Sequence, residues 1–269
     1  MKLIDIFIFI ILSITINIFA LENNLDSDKD GYLDSDEVKM GTNPFDDFSV
    51  IYQGFWPYNS SKDSIYNPGF GECPNANGCE CENSSSCPEN SKCTQLNMGK
   101  FCTPLEGSRL PRFTGVDQFG DIFDLYDLAH NGKPIIIEIG TSWPQACKDL
   151  SAWRSYVNED AITKKWWKNK FLGIRELIDN QEVHWVHIIH LDSEKKPASF
   201  DTIDEWYWNY PHENIILLAD PEAKMKKWIR PTGYPCLVLV DENMNLKVHA
   251  LRGIEDAIDG AYKFLGKDK

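Results

Sequence analysis

The segment PIIIEIGTSWPQAC, residues 134–147, brings a thiol and a carboxyl close to one strand-to-helix junction. An apolar strand leads into Trp143, and Cys147 lies in the helix that follows, one turn beyond Pro144. Burial at this position of the helix would raise the pKa of the Cys147 thiol and make it a poor nucleophile. The carboxyl of Glu138 lies within the apolar strand and is costly to bury without a partner. It is therefore either a functional acid with a raised pKa or a structural hydrogen-bonding group.

Residues 26–37, DSDKDGYLDSDE, have the spacing of a twelve-residue calcium-binding loop. Gly31 stands at the sharp turn of that loop, where a permissive backbone is required. With the GTNP that follows, the segment resembles the thrombospondin type 3-like calcium repeats of exported bacterial proteins, over about residues 25–48. The alternative is a solvated acidic stretch. The spacing predicts six oxygen ligands for Ca²⁺, of which Tyr32 gives its carbonyl: Asp26, Asp28, Asp30, Tyr32, Asp34 and Glu37.

Six of the eight cysteines fall within residues 73–102. An even, dense set in an exported chain predicts three disulfides, for which fifteen pairings exist. Zinc is the alternative, but the C-x2–4-C pairs that zinc sites favour do not occur among them. The stretch resembles small cysteine-rich repeats of exported bacterial proteins and is interpreted as structural. The predicted disulfide cysteines are Cys73, Cys79, Cys81, Cys87, Cys93 and Cys102.

Residues 1–20, MKLIDIFIFIILSITINIFA, are typical of a signal peptide. Lys2 precedes an apolar run, and Ala20 is a suitable cleavage point. An uncleaved membrane anchor is the competing interpretation, because the run is long and rich in Ile and Phe. We therefore expect a secreted or periplasmic protein with no other membrane association.

The composition is that of a globular chain with an acidic surface. Of 269 residues 42% are hydrophobic, and the net charge is −14, which makes nucleic acid an improbable partner. The sequence predicts five regions: a signal peptide (1–20), a calcium-loop segment (21–48), a linker (49–72), a cysteine-rich disulfide module (73–104) and an α/β domain (111–269).

Strands and helices alternate through the last region, which favours a mainly parallel sheet with helices on both faces. The closing strand–strand–helix order predicts an antiparallel hairpin at the sheet edge. Predicted strands are 135–139, 183–191, 215–219, 236–240 and 246–251, and predicted helices are 145–157, 161–179, 200–209, 222–229 and 254–265. His184, His187 and His190 are interpreted as histidines of a core strand, because the two on one face lie about 20 Å apart, too far for one ion.

Residues 111–269 resemble the redoxin-like branch of the thioredoxin superfamily, through TSWPQAC and through GYPCLVLVDENMNLKVHALRG. The resemblance implies an α/β thioredoxin-like fold with a central mixed sheet. It implies that Pro235 is a cis-proline, although a trans proline at a strand start is the alternative. It also implies a substrate groove formed by Trp143, Pro144, Tyr234 and Pro235. Glu138 matches the buried acid that lies, in this family, beneath the second cysteine of the active-site pair.

In that family the junction reads W-C-x-x-C, and here Pro144 replaces the first, attacking cysteine. Dithiol exchange needs an attacking thiolate and a resolving thiol, so we expect negligible dithiol activity. Cys147 is an inert thiol, a disulfide partner of Cys236, or a single-cysteine redox or peroxide-reactive site with Glu138 as its proton partner.

The resemblance therefore implies an exported thioredoxin-like redox protein of limited chemistry, acting on protein or peptide thiols and disulfides. The alternative is a non-catalytic module that uses the groove to bind a peptide or partner protein.

Overall fold

The structure, a computed structural model, describes residues 25–47 and 49–267. The chain divides into two compact units, of which the first ends at Asp63 and the second begins at Ser64. The predicted signal peptide lies outside the described residues. Among the described residues, every helix is too short or too polar to cross a membrane.

The first unit contains the acidic loop and the helix α1 (Asp34–Met40) that follows it. The helix occurs where the sequence predicts a short one after the loop. It ends at Gly41, whose φ of 84° is a left-handed conformation that glycine adopts without steric cost.

The second unit opens with an antiparallel hairpin of β1 (Ser91–Leu96) and β2 (Gly99–Pro104). This hairpin belongs to the same compact unit as the α/β domain. The guanidinium of Arg230 contacts residues of the cysteine-rich segment. Its Cζ lies 3.8 Å from the centre of the Phe101 ring, and its Nε donates to the Gly78 carbonyl at 3.0 Å.

A short hairpin, β3 (Thr114–Val116) and β4 (Ile122–Asp124), precedes the main sheet. The remaining elements are β5 (Ile135–Gly140), α2 (Gln145–Arg154), α3 (Leu172–Asp179), β6 (His184–Ile189), α4 (Phe200–Asn209), β7 (Ile215–Ala219), α5 (Lys224–Ile229), β8 (Cys236–Val240), β9 (Leu246–Val248) and α6 (Glu255–Phe264). Short 3₁₀ helices occur at Lys62–Ser64, Ser84–Ser86, Leu125–Leu128, Asp160–Thr163 and Asn169–Phe171.

The main sheet has the strand order β7-β6-β5-β8-β9. β5, β6 and β7 are parallel, β8 is antiparallel to β5, and β9 is antiparallel to β8. The sheet is therefore mixed, as the predicted fold class states. The predicted antiparallel hairpin at the sheet edge is β8–β9, and β8 is the one strand of this sheet that runs opposite to the other four.

Helices cover both faces of this sheet. One face presents Ile136, Trp185, Leu217 and Leu239 to a buried cluster shared with α2, α3, α4 and α6. Ile137, Val186 and Val238 point to the other face and are also fully buried. This strand order, with β5 leading into α2 at the sheet centre, is a thioredoxin-like fold.

Three elements, β7, β8 and α4, have the bounds that the sequence predicts. The predicted helix at 161–179 is wrong for its first half, since the α-helix begins only at Leu172. Trp167 accounts for this: its ring centre lies 4.5 Å from that of Trp153 and 5.5 Å from that of Phe171. Packing of these rings into the core outweighs the local helical preference.

Candidate functional site

The start of α2 positions the segment that the sequence singled out for redox chemistry. β5 ends at Gly140, and Pro144 occupies the N-cap of α2 with φ −68° and ψ 131°. The Pro144 carbonyl accepts hydrogen bonds from the amides of Cys147 (3.1 Å) and Lys148 (3.2 Å). The helix therefore begins normally at a position that carries no thiol.

Cys147 lies on the inner side of α2 and is fully buried. Burial raises the pKa of its thiol, and the nearby Glu138 carboxylate raises it further. A thiol in such a site stays protonated at neutral pH and is a poor nucleophile.

Cys236 is the second free thiol of the site. It begins β8, is fully buried, and its Sγ donates to the Ala250 carbonyl at 3.2 Å. Burial, with the Glu138 charge as a smaller contribution, raises the pKa of Cys236 to about 12. The structure has no Cys147–Cys236 disulfide, so this alternative is not realised: the Cys236 thiol is directed at a carbonyl.

Glu138 forms a buried ion pair. Arg154, at the last turn of α2, places Nη1 2.7 Å from Glu138 Oε2, and both side chains are almost completely inaccessible. Trp185 on β6 donates from Nε1 to the same oxygen at 3.1 Å. The guanidinium and the indole give this buried carboxylate charge-assisted and hydrogen-bonding partners that offset the cost of its burial.

His187 lies next to this pair on β6. Its Nε2 is 3.6 Å from Glu138 Oε1, and burial lowers the pKa of His187 to about 4, so the imidazole is neutral. Gly140 makes room for it: a Cβ at that position would lie 2.4 Å from His187 Nε2. His187 is therefore a core histidine, as predicted.

The Tyr234–Pro235 peptide bond is cis, as the resemblance predicts. The Tyr234 hydroxyl lies 3.2 Å from His190 Nε2, and His190 Nδ1 lies 2.9 Å from the Gly140 carbonyl. A carbonyl only accepts, so Nδ1 carries the proton and Nε2 accepts from Tyr234. Burial lowers the pKa of His190 to about 4, which keeps this arrangement neutral.

Trp143 is half-buried and meets Tyr234 edge to face, with ring centres 6.4 Å apart. The ammonium of Lys195 lies 5.7 Å from the centre of the Trp143 ring. The structure thus brings together Trp143, Pro144, Tyr234 and Pro235 around the start of α2.

A groove of about 410 Å³ runs beside Tyr234 and Pro235. Trp166 and Phe171 line it from the connection between α2 and α3, and Arg252 and Gly253 line it from the segment before α6. A larger cavity, about 830 Å³, lies between α3 and α6 and is lined by none of the predicted site residues.

The acidic loop brings three of its predicted ligands together: carboxylate oxygens of Asp26, Asp28 and Asp30 lie within 4.8 Å of one another. Glu37 is buried, and burial, followed by the charges of Asp28 and Asp30, raises its pKa. Asp34 differs, since its two oxygens accept from the amide and the hydroxyl of Ser27, both at 2.7 Å.

Three disulfides join the six clustered cysteines, as the sequence predicts. The pairs, which the sequence left open, are Cys73–Cys79, Cys81–Cys93 and Cys87–Cys102. Because these sulfurs are bonded in pairs, they are not available as thiolate ligands for zinc.

The roles of three residues near the site were not predicted from the sequence. Arg154 follows Cys147 by seven positions, which places both on one face of α2, and this spacing was the available signal. His190 was assigned to the core strand, yet it follows the end of β6 and holds Tyr234. Lys195 lies in a loop, and its sequence carries no comparable signal.

No protein-family model and no curated protein matches this sequence. Solved structures with a similar chain path include the thioredoxin domain of a thiol-disulfide oxidoreductase from Bacteroides vulgatus, at 18% identity over 61% of this chain and 98% of that chain, with a TM-score of 0.39. The exposed lipoprotein thioredoxin of Streptococcus pneumoniae is 21% identical over 55% of this chain and 94% of that chain, with a TM-score of 0.38.

A thiol peroxidase from Chromobacterium violaceum is 17% identical over 61% of this chain and 87% of that chain, with a TM-score of 0.39. The fold described above rests on the strand order and on the positions of β5, α2 and Pro235, and not on these likenesses.

Proposed function

We propose that this chain is an exported thioredoxin-like protein of the thiol–disulfide oxidoreductase type, which binds a protein partner in the groove beside Pro235 and has negligible dithiol-exchange activity of its own. One observation carries the proposal. α2 begins at a proline, and the next thiol along it, Cys147, is fully buried.

Dithiol exchange begins with a thiolate attacking a disulfide sulfur. Neither free thiol of the described residues meets that requirement, because burial raises the pKa of Cys147 and of Cys236 well above neutral pH. The geometry also gives no support to a single-cysteine site at Cys147, since Glu138, its suggested proton partner, is held by Arg154.

The groove keeps features suited to an extended polypeptide. Its floor is formed by Tyr234 and Pro235, and Trp166 forms an aromatic wall. Among the described residues, nothing hydrogen-bonds to the main chain of Tyr234. A free main-chain donor and acceptor next to aromatic rings favours strand-like pairing with a partner chain.

The test measures turnover and binding separately. We expect insulin reduction by dithiothreitol to proceed no faster with the protein than without it. We expect reduced, alkylated insulin B chain to shift the NMR signals of residues around Tyr234. Trp166→Ala, in the wall of the groove, should weaken this binding, whereas the control Trp208→Ala, at a site 77% exposed on α4, should leave it unchanged. Rapid insulin reduction, or an absence of shifts at millimolar peptide, would overturn the proposal.

We also propose that the acidic loop binds Ca²⁺. Asp28 Oδ2, Asp30 Oδ2 and Glu37 Oε2 are buried oxygens without a hydrogen-bond partner, and a divalent cation would satisfy all three. Asp26 completes the carboxylate set, and the Tyr32 carbonyl is a further ligand by its position in the loop. Asp34 closes the loop through Ser27.

Calorimetric titration of the full chain with CaCl₂ tests this proposal. We expect binding in the range of extracellular calcium modules, roughly 10⁻⁴–10⁻³ M or tighter. Glu37→Gln should abolish the heat, and Asp36→Asn, at an exposed position next to it, should preserve it. No heat at millimolar calcium would contradict the proposal.

Export is proposed on two grounds. The N-terminal 20 residues have the composition of a signal peptide, and three disulfides persist best in an oxidising compartment. Fractionation of the producing cells, with N-terminal sequencing of the mature chain, tests both the compartment and cleavage near Ala20. A chain found in the cytosol, with its leader intact, would oppose it.

A further inference from the structure

Two of the disulfides, Cys81–Cys93 and Cys87–Cys102, lie against each other. The Sγ atoms of Cys81, Cys87 and Cys93 are all within 4.8 Å of one another. Cys93 on β1 also lies directly opposite Cys102 on β2 in the hairpin. Residues opposed in this way have side chains on one face and Cα atoms about 4.5–5.5 Å apart, within the roughly 4.4–6.8 Å that a disulfide spans.

We infer that these four cysteines form an exchange cluster that interconverts two disulfide pairings on an unchanged hairpin. The first pairing is the one in the structure. The second joins Cys81 to Cys87 and Cys93 to Cys102. The interconversion is started by a thiolate from outside the chain, either a small-molecule monothiol or a cysteine of a partner protein.

Accessibility sets where exchange begins. Cys81, Cys87 and Cys93 are half-buried, whereas Cys102 is fully buried. An external thiolate can therefore approach the Cys81–Cys93 bridge, and Cys102 becomes reactive only through a neighbour. Cys147 and Cys236 are fully buried and take no part.

Each step is a thiol–disulfide exchange. An external thiolate bonds to Cys93 Sγ, the Cys81–Cys93 bond breaks, and Cys81 leaves as a thiolate. Cys81 then attacks Cys87 Sγ, which forms Cys81–Cys87 and releases the Cys102 thiolate. Cys102 attacks Cys93 Sγ across the hairpin, which forms Cys93–Cys102 and releases the external thiolate. No electrons are gained or lost overall, and the thiol is regenerated.

The third disulfide provides an internal control. The Sγ atoms of Cys73 and Cys79 are not among the three clustered sulfurs, so the proposed exchange does not require them, although the Cys79 carbonyl accepts a hydrogen bond from the Cys102 amide at 2.9 Å. The cluster should exchange while this bridge stays intact.

The experiment uses the full oxidised chain with substoichiometric reduced glutathione at pH 8, followed by N-ethylmaleimide to trap thiols. The sequence suits mass mapping: cleavage after Lys92, Lys100, Glu80, Glu82 and Glu89 puts each of the four cysteines in a different peptide. Oxidised glutathione, which has no thiolate, is the matched reagent control.

We expect new linked peptides containing Cys81–Cys87 and Cys93–Cys102, which are absent before treatment. Cys73→Ser/Cys79→Ser should leave these products unchanged. Cys87→Ser/Cys102→Ser should lose them and accumulate a glutathione adduct on Cys81 or Cys93. Recovery of only the original pairs from the treated wild-type chain overturns the inference, whether or not glutathione has attached, and this outcome can be judged without any variant.

Discussion

At the residue scale, the burial of Cys147 and Cys236 makes a direct prediction about thiol labelling. The rise of the Cys236 pKa from an ordinary value of 9.0 to about 12 leaves about 10³-fold less thiolate at neutral pH. N-ethylmaleimide should therefore label neither residue in the folded chain and both in urea, as counted by mass spectrometry. Rapid labelling of Cys147 in the folded protein would show that it is accessible after all.

The same two thiols predict how stability depends on pH. Their folded pKa values lie above the unfolded ones, so their contribution is fully present below the ordinary thiol pKa of 9.0. It is lost as pH rises from there towards about 12, because the unfolded thiols ionise and the folded ones do not. Urea denaturation of Cys147→Ala/Cys236→Ala should show a flatter fall in unfolding free energy across this range than the wild-type chain.

Removal of only one charge of the Glu138–Arg154 pair should destabilise the protein more than removal of both. Glu138→Gln keeps the shape but leaves the Arg154 charge buried without a counterion, which should cost about 3–5 kcal/mol of unfolding free energy. Glu138→Leu/Arg154→Met removes both charges and should cost less unfolding free energy than Glu138→Gln or Arg154→Met alone. Equal or greater loss in the double variant, measured by urea denaturation, would contradict this account of the pair.

Sequence reasoning located Glu138 but not its partner. The carboxyl is visible as one acid in an apolar strand, and burial follows from its neighbours. Arg154 meets it only because α2 packs back along β5, a tertiary contact that local patterns do not contain. His190 was missed for a related reason, since its role depends on Tyr234, which is 44 positions away.

At the element scale, the start of α2 predicts that the protein lacks dithiol chemistry because Pro144 stands in place of a single cysteine. Pro144→Cys would place a thiol at the helix N-terminus, where its pKa is lowered, with Cys147 one turn further on. Insulin reduction should rise from background to a measurable rate in this variant. Pro144→Ser should stay at background, and Pro144→Cys/Cys147→Ser should lose the gain. No activity in Pro144→Cys would mean that Cys147 is too deeply buried to resolve a mixed disulfide.

The elements themselves were largely predictable, because strands such as 215–219 and 236–240 are short apolar runs between turns. The stretch 161–171 was not, since its charged and aromatic residues fit a helix locally. The structure turns Trp167 towards Trp153 instead, and this choice is made by the core. The direction of β8 relative to β5 was likewise not predictable from the sequence, because alternation of strands and helices does not distinguish parallel from antiparallel pairing within a mixed sheet.

At the scale of the whole molecule, the division into two units predicts that calcium acts on only one of them. All the proposed ligands lie between Asp26 and Glu37, inside the unit that ends at Asp63. Occupancy at 100 times the dissociation constant would stabilise that unit by about 2.7 kcal/mol and slow cleavage that requires its opening by up to about 100-fold. The second unit, which has its own sheet, core and disulfides, should not respond.

Limited digestion with a lysine-specific protease separates the two responses in one sample. Calcium should slow cleavage after Lys29 in the loop and after Lys39 in α1, while cleavage after Lys92 in the second unit keeps its rate. Glu37→Gln should remove the protection, and Asp36→Asn should retain it. If calcium instead protected Lys92 and left Lys29 unchanged, the ion would be binding outside the acidic loop, because protection follows the part of the chain that the ligand stabilises.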